Sequence, residues 1–168
     1  MAYDAFMWLK GGNPEAKGET QDDTYKKKDA FELYSFSLGA SNPTNMGSAS
    51  GGAGAGKISI SSFNIMKKTD SASPNLFTNC AKGQHFTSAH VVLRKAGGEA
   101  LEYLKYDFEE VFVESIQWSG SAGGDDTPSE SVSFAFGKIT TSYTPQAEKG
   151  TQGKMITAVW DIRANKTT

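Results

Sequence analysis

Short stretches of alternating apolar residues run along almost the whole chain, and this pattern constrains the fold more than any other feature. In residues 29–41, large apolar side chains alternate with small ones: Tyr34, Phe36 and Leu38 against Ser35, Ser37 and Gly39. A period of two is that of a β-strand whose two faces differ. The 18 glycines separate such stretches, as turns do in antiparallel proteins. The sequence therefore predicts a mainly β fold, a small antiparallel β-barrel or two-sheet sandwich.

Seven strands are predicted from these stretches, at residues 3–10, 29–41, 57–68, 86–95, 101–118, 130–144 and 154–164. The first strand has apolar residues of both parities, so we expect it to be central in the sheet or covered by a partner. Parity changes at Ser61-Ser62 and along residues 101–118 predict β-bulges and bent strands, as in small barrels.

One segment has the pattern of a short α-helix. Ser73 is a suitable N-cap, Pro74 can occupy the first helical position and Gly83 is a suitable stop. The prediction is a helix over residues 74–82, docked on the sheet by its apolar side because so short a helix is not stable alone.

The chain length fits a single domain spanning residues 1–168, and we find no internal repeat. Residues 42–56 are dominated by Gly, Ala and Ser. Such a segment cannot pack a core by itself, so we expect a flexible loop there.

Charge and cysteine content exclude several classes of protein. The 17 Lys and Arg against 19 Asp and Glu leave no basic excess for general nucleic-acid binding. The single cysteine excludes an internal disulfide framework and fits folding in a reducing cytoplasm. No apolar stretch approaches the ~20 residues needed to cross a bilayer. The N-terminus has no signal-peptide pattern, so we expect any export to use another route.

Two motifs suggest chemistry, and neither has the context it needs. Residues 51–57 formally match the phosphate loop G-x-x-x-x-G-K, but Ile58 follows and the segment alternates as a strand instead of starting a helix. Cys80 with His85 or His90 could form a thiol dyad, but Cys80 falls on the apolar side of the predicted helix. We expect neither a nucleotide site nor a reactive thiol.

Metal and paired-carboxylate sites are also not indicated. Two histidines without a cysteine pair give no zinc pattern. The acidic side chains of the strand at 101–118 alternate between its faces and do not converge as a glycosidase requires: Asp107 and Glu109 against Glu110 and Glu114. The sequence therefore predicts no catalytic residue, no metal and no cofactor, and a protein that is not an enzyme.

Several spaced motifs occur in a fixed order along the chain: Ser73-Pro74-Asn75-Leu76, Gly83-Gln84-His85-Phe86, Leu93-Arg94-Lys95-Ala96-Gly97-Gly98-Glu99, Glu110-Val111-Phe112-Val113-Glu114-Ser115 and Trp160-Asp161-Ile162-Arg163. Together they resemble the Hcp family (haemolysin-coregulated proteins), the tube subunits of the bacterial type VI secretion system. The resemblance covers essentially the whole chain.

The resemblance implies a small β-barrel with a helix on its side. Six copies would close into a ring, and rings would stack into a hollow tube that carries and protects small effector proteins. The implied partners are further copies of the chain, sheath and spike proteins and the effectors, with no nucleic acid and no membrane insertion. The protein would be cytoplasmic before assembly and extracellular afterwards, secreted without a signal peptide.

Two sets of functional residues follow from the resemblance combined with side-chain parity. Ser37 matches the family's small polar lumen position, and Ser35 and Gly39 share its parity, so we expect all three to face the cargo. The loop at 42–56 resembles the family's extended loop that reaches the neighbouring ring, and its glycines would permit close approach. These glycines are Gly47, Gly51, Gly52, Gly54 and Gly56.

Two other classes of protein stay open. A phage-like tail-tube protein would share the architecture and differ in its partners. A monomeric β-barrel ligand-binding module would need a pocket with convergent polar groups, and no such cluster stands out in the sequence.

Overall fold

The computed structural model of the protein describes residues 3–45, 54–96, 100–124, 126–146 and 151–168. These residues form twelve strands, one α-helix and a short 3-10 helix at Lys26–Lys28. In chain order the elements are β1 (Tyr3–Lys10), β2 (Phe31–Glu32), β3 (Ser35–Ser37), β4 (Ala40–Ser41), β5 (Thr44–Asn45), β6 (Gly54–Ala55), β7 (Ser59–Ile60), β8 (Phe63–Lys68), α1 (Ser73–Lys82), β9 (His85–Lys95), β10 (Glu102–Ser119), β11 (Ser129–Tyr143) and β12 (Ile156–Asp161).

One curled antiparallel sheet dominates the fold, in the order β2-β1-β9-β10-β11-β8-β3, with β12 also paired to β11. The segment from Phe31 to Ser37 pairs with β1 at its start and with β8 at its end. Between these pairings, the Tyr34 N–H donates to the Met66 carbonyl at 2.8 Å. This segment links the two sides of the curled sheet as in a barrel. The mainly β, antiparallel prediction is confirmed.

The main core lies inside the curl, and α1 covers it beside β10. Leu76 on α1 is fully buried, and Cys80 packs against the same core from the helix. Gly83 ends α1 in the left-handed conformation, with φ at 62°, as predicted. The predicted N-cap was wrong by one residue, because Ala72 occupies it. The Ser73 hydroxyl instead accepts a hydrogen bond from the Asp70 N–H at 3.0 Å.

A second, smaller core covers the outer face of β1. Tyr25 stacks on Phe6 with ring centroids 4.2 Å apart, and Trp8 lies beside them. Because β1 also has β2 and β9 on its two edges, it is both internal to the sheet and covered. Its two positions in the fold explain why β1 has apolar residues on both faces. The partner that covers its outer face is the chain's own segment around Tyr25.

The parity changes predicted along residues 101–118 occur in β10 and have two causes. Glu110 adopts a positive φ of 54°, so Phe108 and Val111 both point into the core. Its carboxylate pairs with Arg163 at 2.5 Å. A register shift between Val113 and Ser115 restores the first parity. Such irregularities bend a long strand around a barrel.

The prediction of one strand over residues 29–41 was wrong. The chain forms β2, β3 and β4 there, because each piece pairs with a different partner. The predicted strand at 57–68 is likewise divided into β7 and β8 at Ser61-Ser62, where a parity change was predicted. There the Gly39 N–H donates to the Ser61 hydroxyl at 2.8 Å. The Ser61 N–H donates in turn to the Gly39 carbonyl, also at 2.8 Å.

Candidate functional surfaces

Two of the three predicted lumen residues lie together on the outside of the sheet. Ser35 and Ser37 are exposed, while Phe36 between them packs against the core. Gly39 is also exposed, but it lies beyond the end of β3 and is hydrogen-bonded to Ser61. The alternation therefore separates the two faces at β3 and does not place Gly39 on the sheet.

Cross-strand register extends this surface over four strands, since residues directly opposite each other share a face of the sheet. Ser37 and Ser35 each begin a row that crosses β8, β11 and β10. We call the two rows the serine face, which consists of Ser37, Asn64, Ser133 and Ser115 in the first row and Ser35, Met66, Ser131 and Gln117 in the second.

Sequence reasoning did not assign the six residues of this face that lie outside β3. Part of the signal is present in residues 129–134, where three serines alternate with Glu130, Val132 and Phe134, all of which are buried. Alternation within one strand does not show which residues lie opposite each other on neighbouring strands. That register depends on pairing between strands that are distant in the chain.

The serine face offers small neutral hydrogen-bonding groups. The Ser133 hydroxyl donates to the Asn64 side-chain oxygen at 2.5 Å, and Ser35, Ser37 and Gln117 are exposed. Met66 is 46% exposed among these polar neighbours. A surface without charge in its two rows can contact many partners, each of them weakly.

A buried ion network lies directly behind the serine face. The Lys67 ammonium is 2.7 Å from both Glu130 and Asp70, and the side chains of Lys67 and Glu130 are 1% and 0% exposed. Trp118 donates its indole N–H to the other oxygen of Glu130 at 2.8 Å. Burial raises the pKa of Asp70, although Lys67 opposes this. The network ties β8, β11 and the turn before α1 together.

We call residues 40–60 the arm, of which the structure describes 40–45 and 54–60. β4 pairs with β7 and β5 pairs with β6, and within the described residues none of these four strands joins the main sheet. Gly56 donates its N–H to the Pro43 carbonyl at 2.9 Å, and a Cβ atom on Gly56 would lie 2.7 Å from the Pro43 ring. The chain's own close approach therefore requires this glycine. Gly54 begins β6, whereas Gly47, Gly51 and Gly52 lie outside the described residues.

The core-facing side of the sheet continues onto β12, where no other described segment covers it. One row of directly opposite residues crosses β1, β9, β10, β11 and β12, and its members are Ala5, Leu93, Leu104, Tyr143 and Ile156. Ala5 and Leu93 are buried, with 4% and 3% of their surface exposed, whereas Tyr143 is 48% exposed and Ile156 is 66% exposed. Met155, just before β12, is 55% exposed. We call Tyr143, Met155 and Ile156 the apolar strip.

Ser88, His90 and Asp107 have the hydrogen-bond connectivity of a hydrolase triad. His90 Nε2 is 3.1 Å from the Ser88 hydroxyl, and its Nδ1 is 2.5 Å from Asp107. However, β9 is paired on both edges, so its backbone N–H groups serve the sheet and form no oxyanion hole. Trp8 stacks on the imidazole at 5.2 Å. We assign the group a structural role.

The other candidate chemical residues do not converge. Cys80 contacts the Glu114 carbonyl at 3.8 Å, and His85 packs beside Phe112. Among the residues that the structure describes, no three His, Cys, Asp or Glu side chains are grouped as metal ligands. None of the described helices has the length and apolar composition of a membrane span.

Arg94 joins β9 to the segment that covers β1, and this contact makes stability depend on pH. Arg94 lies 2.7 Å from Asp22 and 3.1 Å from Asp4. Burial favours the neutral form of Asp22, but the hydrogen bonds from Arg94 and from the Thr24 and Tyr25 N–H groups outweigh it and lower its pKa. A lowered pKa stabilises the fold above the ordinary value of about 4, and this contribution is lost as pH falls below it.

We therefore expect Asp22→Asn to lower the free energy of unfolding by up to about 1 kcal/mol at pH 7 and by much less at pH 3. Urea unfolding of both proteins at the two pH values measures the difference. An equal loss at both would show that the Asp22 charge is not responsible.

Comparisons with known proteins agree with this geometry. The family profile described as "Type VI secretion system effector, Hcp" matches residues 6–143. The protein hcp1 of Pseudomonas aeruginosa is 36% identical over 111 residues, which cover 65% of this chain and 68% of that protein.

Solved structures extend the similarity to the whole fold. A type six secretion system protein is 32% identical with a TM-score of 0.90, covering 99% of this chain and 100% of that one. Hcp1 from Salmonella typhimurium is 34% identical with a TM-score of 0.80, covering 100% of both chains. The resemblance identified in the sequence is confirmed, and the chain belongs to the Hcp family of type VI secretion proteins.

Proposed function

We propose that this chain is a structural tube subunit of a type VI secretion system and not an enzyme. Six copies close into a ring, rings stack into a hollow secreted tube, and the tube carries small effectors. The observation that carries the proposal is the uncovered apolar strip at one side of a barrel of the Hcp family. The number six comes from the family resemblance.

Ring closure explains the apolar strip. Ile156 and Met155 are more than half exposed, and among the described strands β12 pairs with β11 alone. A soluble monomer that leaves both open is prone to uncontrolled association. A heterologous contact that closes after a fixed number of copies covers every such edge.

The serine face is proposed to line the lumen. Its neutral hydroxyl and amide groups would hold cargo without selecting strongly by charge, and its short side chains leave room for a folded protein. Ser35 and Ser37 belong to this face, whereas Gly39 would lie at its border with the arm.

The arm is proposed to reach the neighbouring ring. It projects as paired strands outside the main sheet, and its exposed residues at 40–44 provide an accessible surface. Gly47, Gly51, Gly52, Gly54 and Gly56 would allow it to lie close to another backbone. Sheath and spike proteins would be the further partners of the tube. The chain would be cytoplasmic before assembly and extracellular after firing.

Native mass spectrometry of the purified chain at micromolar concentration tests the ring. The expected result is a dominant hexamer, with rings or short stacks in negative-stain images. A monomer under the same conditions would contradict the tube and would favour a ligand-binding barrel.

A bulky side chain on the serine face is expected to reduce cargo retention. Ser37→Gln should lower the amount of effector that copurifies with the ring several-fold because it fills space at the lumen wall. The ring mass should stay unchanged. Ser71→Gln, at an exposed serine outside the serine face, is the matched control. Equal retention by the two variants would remove Ser37 from the cargo surface.

A further inference from the structure

We propose that a groove beside Met66 is the docking site for an extended cargo segment that carries an apolar side chain next to a basic one. The inference rests on the proposed function, since it gives the serine face a preferred ligand. The groove has a volume of about 630 Å³ and lies between β8 and the turn from β10 to β11. The lining residues used below are Met66, Ser119, Asp126, Thr127, Pro128 and Ser129.

The groove is continuous with the serine face. Met66 belongs to the second row of that face, directly opposite Ser35 on one side and Ser131 on the other. Ser129 and Ser119 face each other one step further along β11 and β10. A segment resting on the serine face could therefore enter the groove without a change of direction.

Met66 supplies an apolar anchor in otherwise polar surroundings. It is 46% exposed, and the Pro128 ring adds a second apolar surface to the lining. The unbranched thioether side chain adapts to apolar groups of different shapes, which suits a site that accepts several cargo proteins. Hydroxyl groups of Ser119, Thr127 and Ser129 can hydrogen-bond to the backbone of an extended segment.

The charge of the groove selects the neighbouring side chain of the cargo. Among the lining residues that the structure describes, Asp126 is the one with a charged side chain. Lys68 on β8 is directly opposite Ser129, but its ammonium lies over the Tyr34 ring, 6.0 Å from the centroid, and it lines a neighbouring cavity that shares only Thr127 with the groove. A lysine or arginine beside the apolar cargo residue would therefore meet the Asp126 carboxylate, since none of the described lining residues is a cation.

The base of the groove is fixed before a ligand arrives. Lys67 follows Met66 and Glu130 follows Ser129, and the two buried side chains are ion-paired at 2.7 Å. Backbone segments held in this way lose little further freedom on binding, so more of the contact energy contributes to affinity.

Methyl NMR of the full chain labelled with [13C-methyl]methionine tests the groove directly. The chain has five methionines, and Met66→Leu identifies the Met66 resonance. The probe is the peptide acetyl-Gly-Ser-Leu-Arg-Ser-Gly-amide. We expect the Met66 resonance to shift on titration while the resonance of Met155, which does not line the groove, stays in place. Replacing Leu by Ser or Arg by Glu in the peptide should weaken binding about tenfold.

Variants of the groove give the matched comparison. Met66→Ser should abolish saturable binding measured by fluorescence anisotropy of the labelled peptide, and Asp126→Asn should remove the preference for Arg over Glu. Phe77→Ser, at an exposed apolar residue of α1 outside the serine face and the apolar strip, should bind like the wild type. An unshifted Met66 resonance, equal affinities for all three peptides, or equal losses at Met66 and Phe77 would each overturn the proposal.

The same sample separates this inference from the proposed function. Native mass spectrometry reports the ring, and the Met66 resonance reports the groove. A hexamer with no shift at Met66 would reject the groove and leave the tube intact. A monomer with the expected shift would support the groove and contradict the tube.

Discussion

Replacing Lys67 with methionine is expected to lower the free energy of unfolding by about 3–5 kcal/mol, the range for breaking a buried ion pair by removing one partner. The variant leaves Glu130 fully buried and without the ammonium 2.7 Å away. It also leaves the partly buried Asp70 without its cation. Urea unfolding at pH 7 measures the loss. Lys68→Met, at the exposed neighbour of Lys67, is expected to change stability by less than about 0.5 kcal/mol.

A second substitution separates the buried charge from packing. Glu130→Gln removes the charge and keeps an oxygen that can accept the Trp118 indole N–H. The double variant of Lys67→Met and Glu130→Gln is therefore expected to be more stable than Lys67→Met alone. A double variant that is less stable than either single one would show that the uncompensated charge is not the main cost.

The position of this network gives it a consequence for the proposed lumen. Lys67 lies between Met66 and Lys68 on β8, and Glu130 lies between Ser129 and Ser131 on β11. Each buried charge is thus flanked by residues that point to the outside of the sheet. Because the pair fixes β8 against β11, it holds the rows of the serine face in register.

Local pattern predicted much of the fold, and pairing between distant segments accounts for the rest. The alternation around Phe36 separates an apolar from a serine side, and the structure has the same separation. The divided strand at residues 29–41 could not be predicted, because its pieces pair with β1, β8 and β7. Their separate directions depend on the curl of the whole sheet.

The burial of the Lys67–Glu130 ion pair could not be predicted from the sequence either. Lys67 and Glu130 are separated by 62 intervening residues, and each would ordinarily be exposed. Their contact requires β8 to pair with β11 in one register and α1 to begin close by. The serine face has the same dependence, since Ser37 and Ser115 share a row only through Asn64 and Ser133.

Ile156→Glu is expected to convert the proposed hexamer into monomers. Ile156 is 66% exposed at the end of a row that is buried at Ala5 and Leu93. An apolar partner surface covering this position would have to bury an unpaired carboxylate, which costs several kcal/mol at each contact. Since every 1.4 kcal/mol changes an equilibrium tenfold, a ring with this charge at each contact should not persist at micromolar concentration. Native mass spectrometry gives the mass directly.

Two controls decide whether loss of the ring reports on β12. Urea unfolding of the Ile156→Glu monomer should match that of a dilute wild-type monomer, because the side chain is largely exposed within the subunit. Gln21→Glu adds the same charge at an exposed residue of the segment that covers β1, and it should leave the hexamer intact. If Gln21→Glu also dissociates the ring, added charge in general is responsible. If Ile156→Glu remains hexameric, β12 lies outside the contact, and the apolar strip must be covered by something other than the neighbouring subunit.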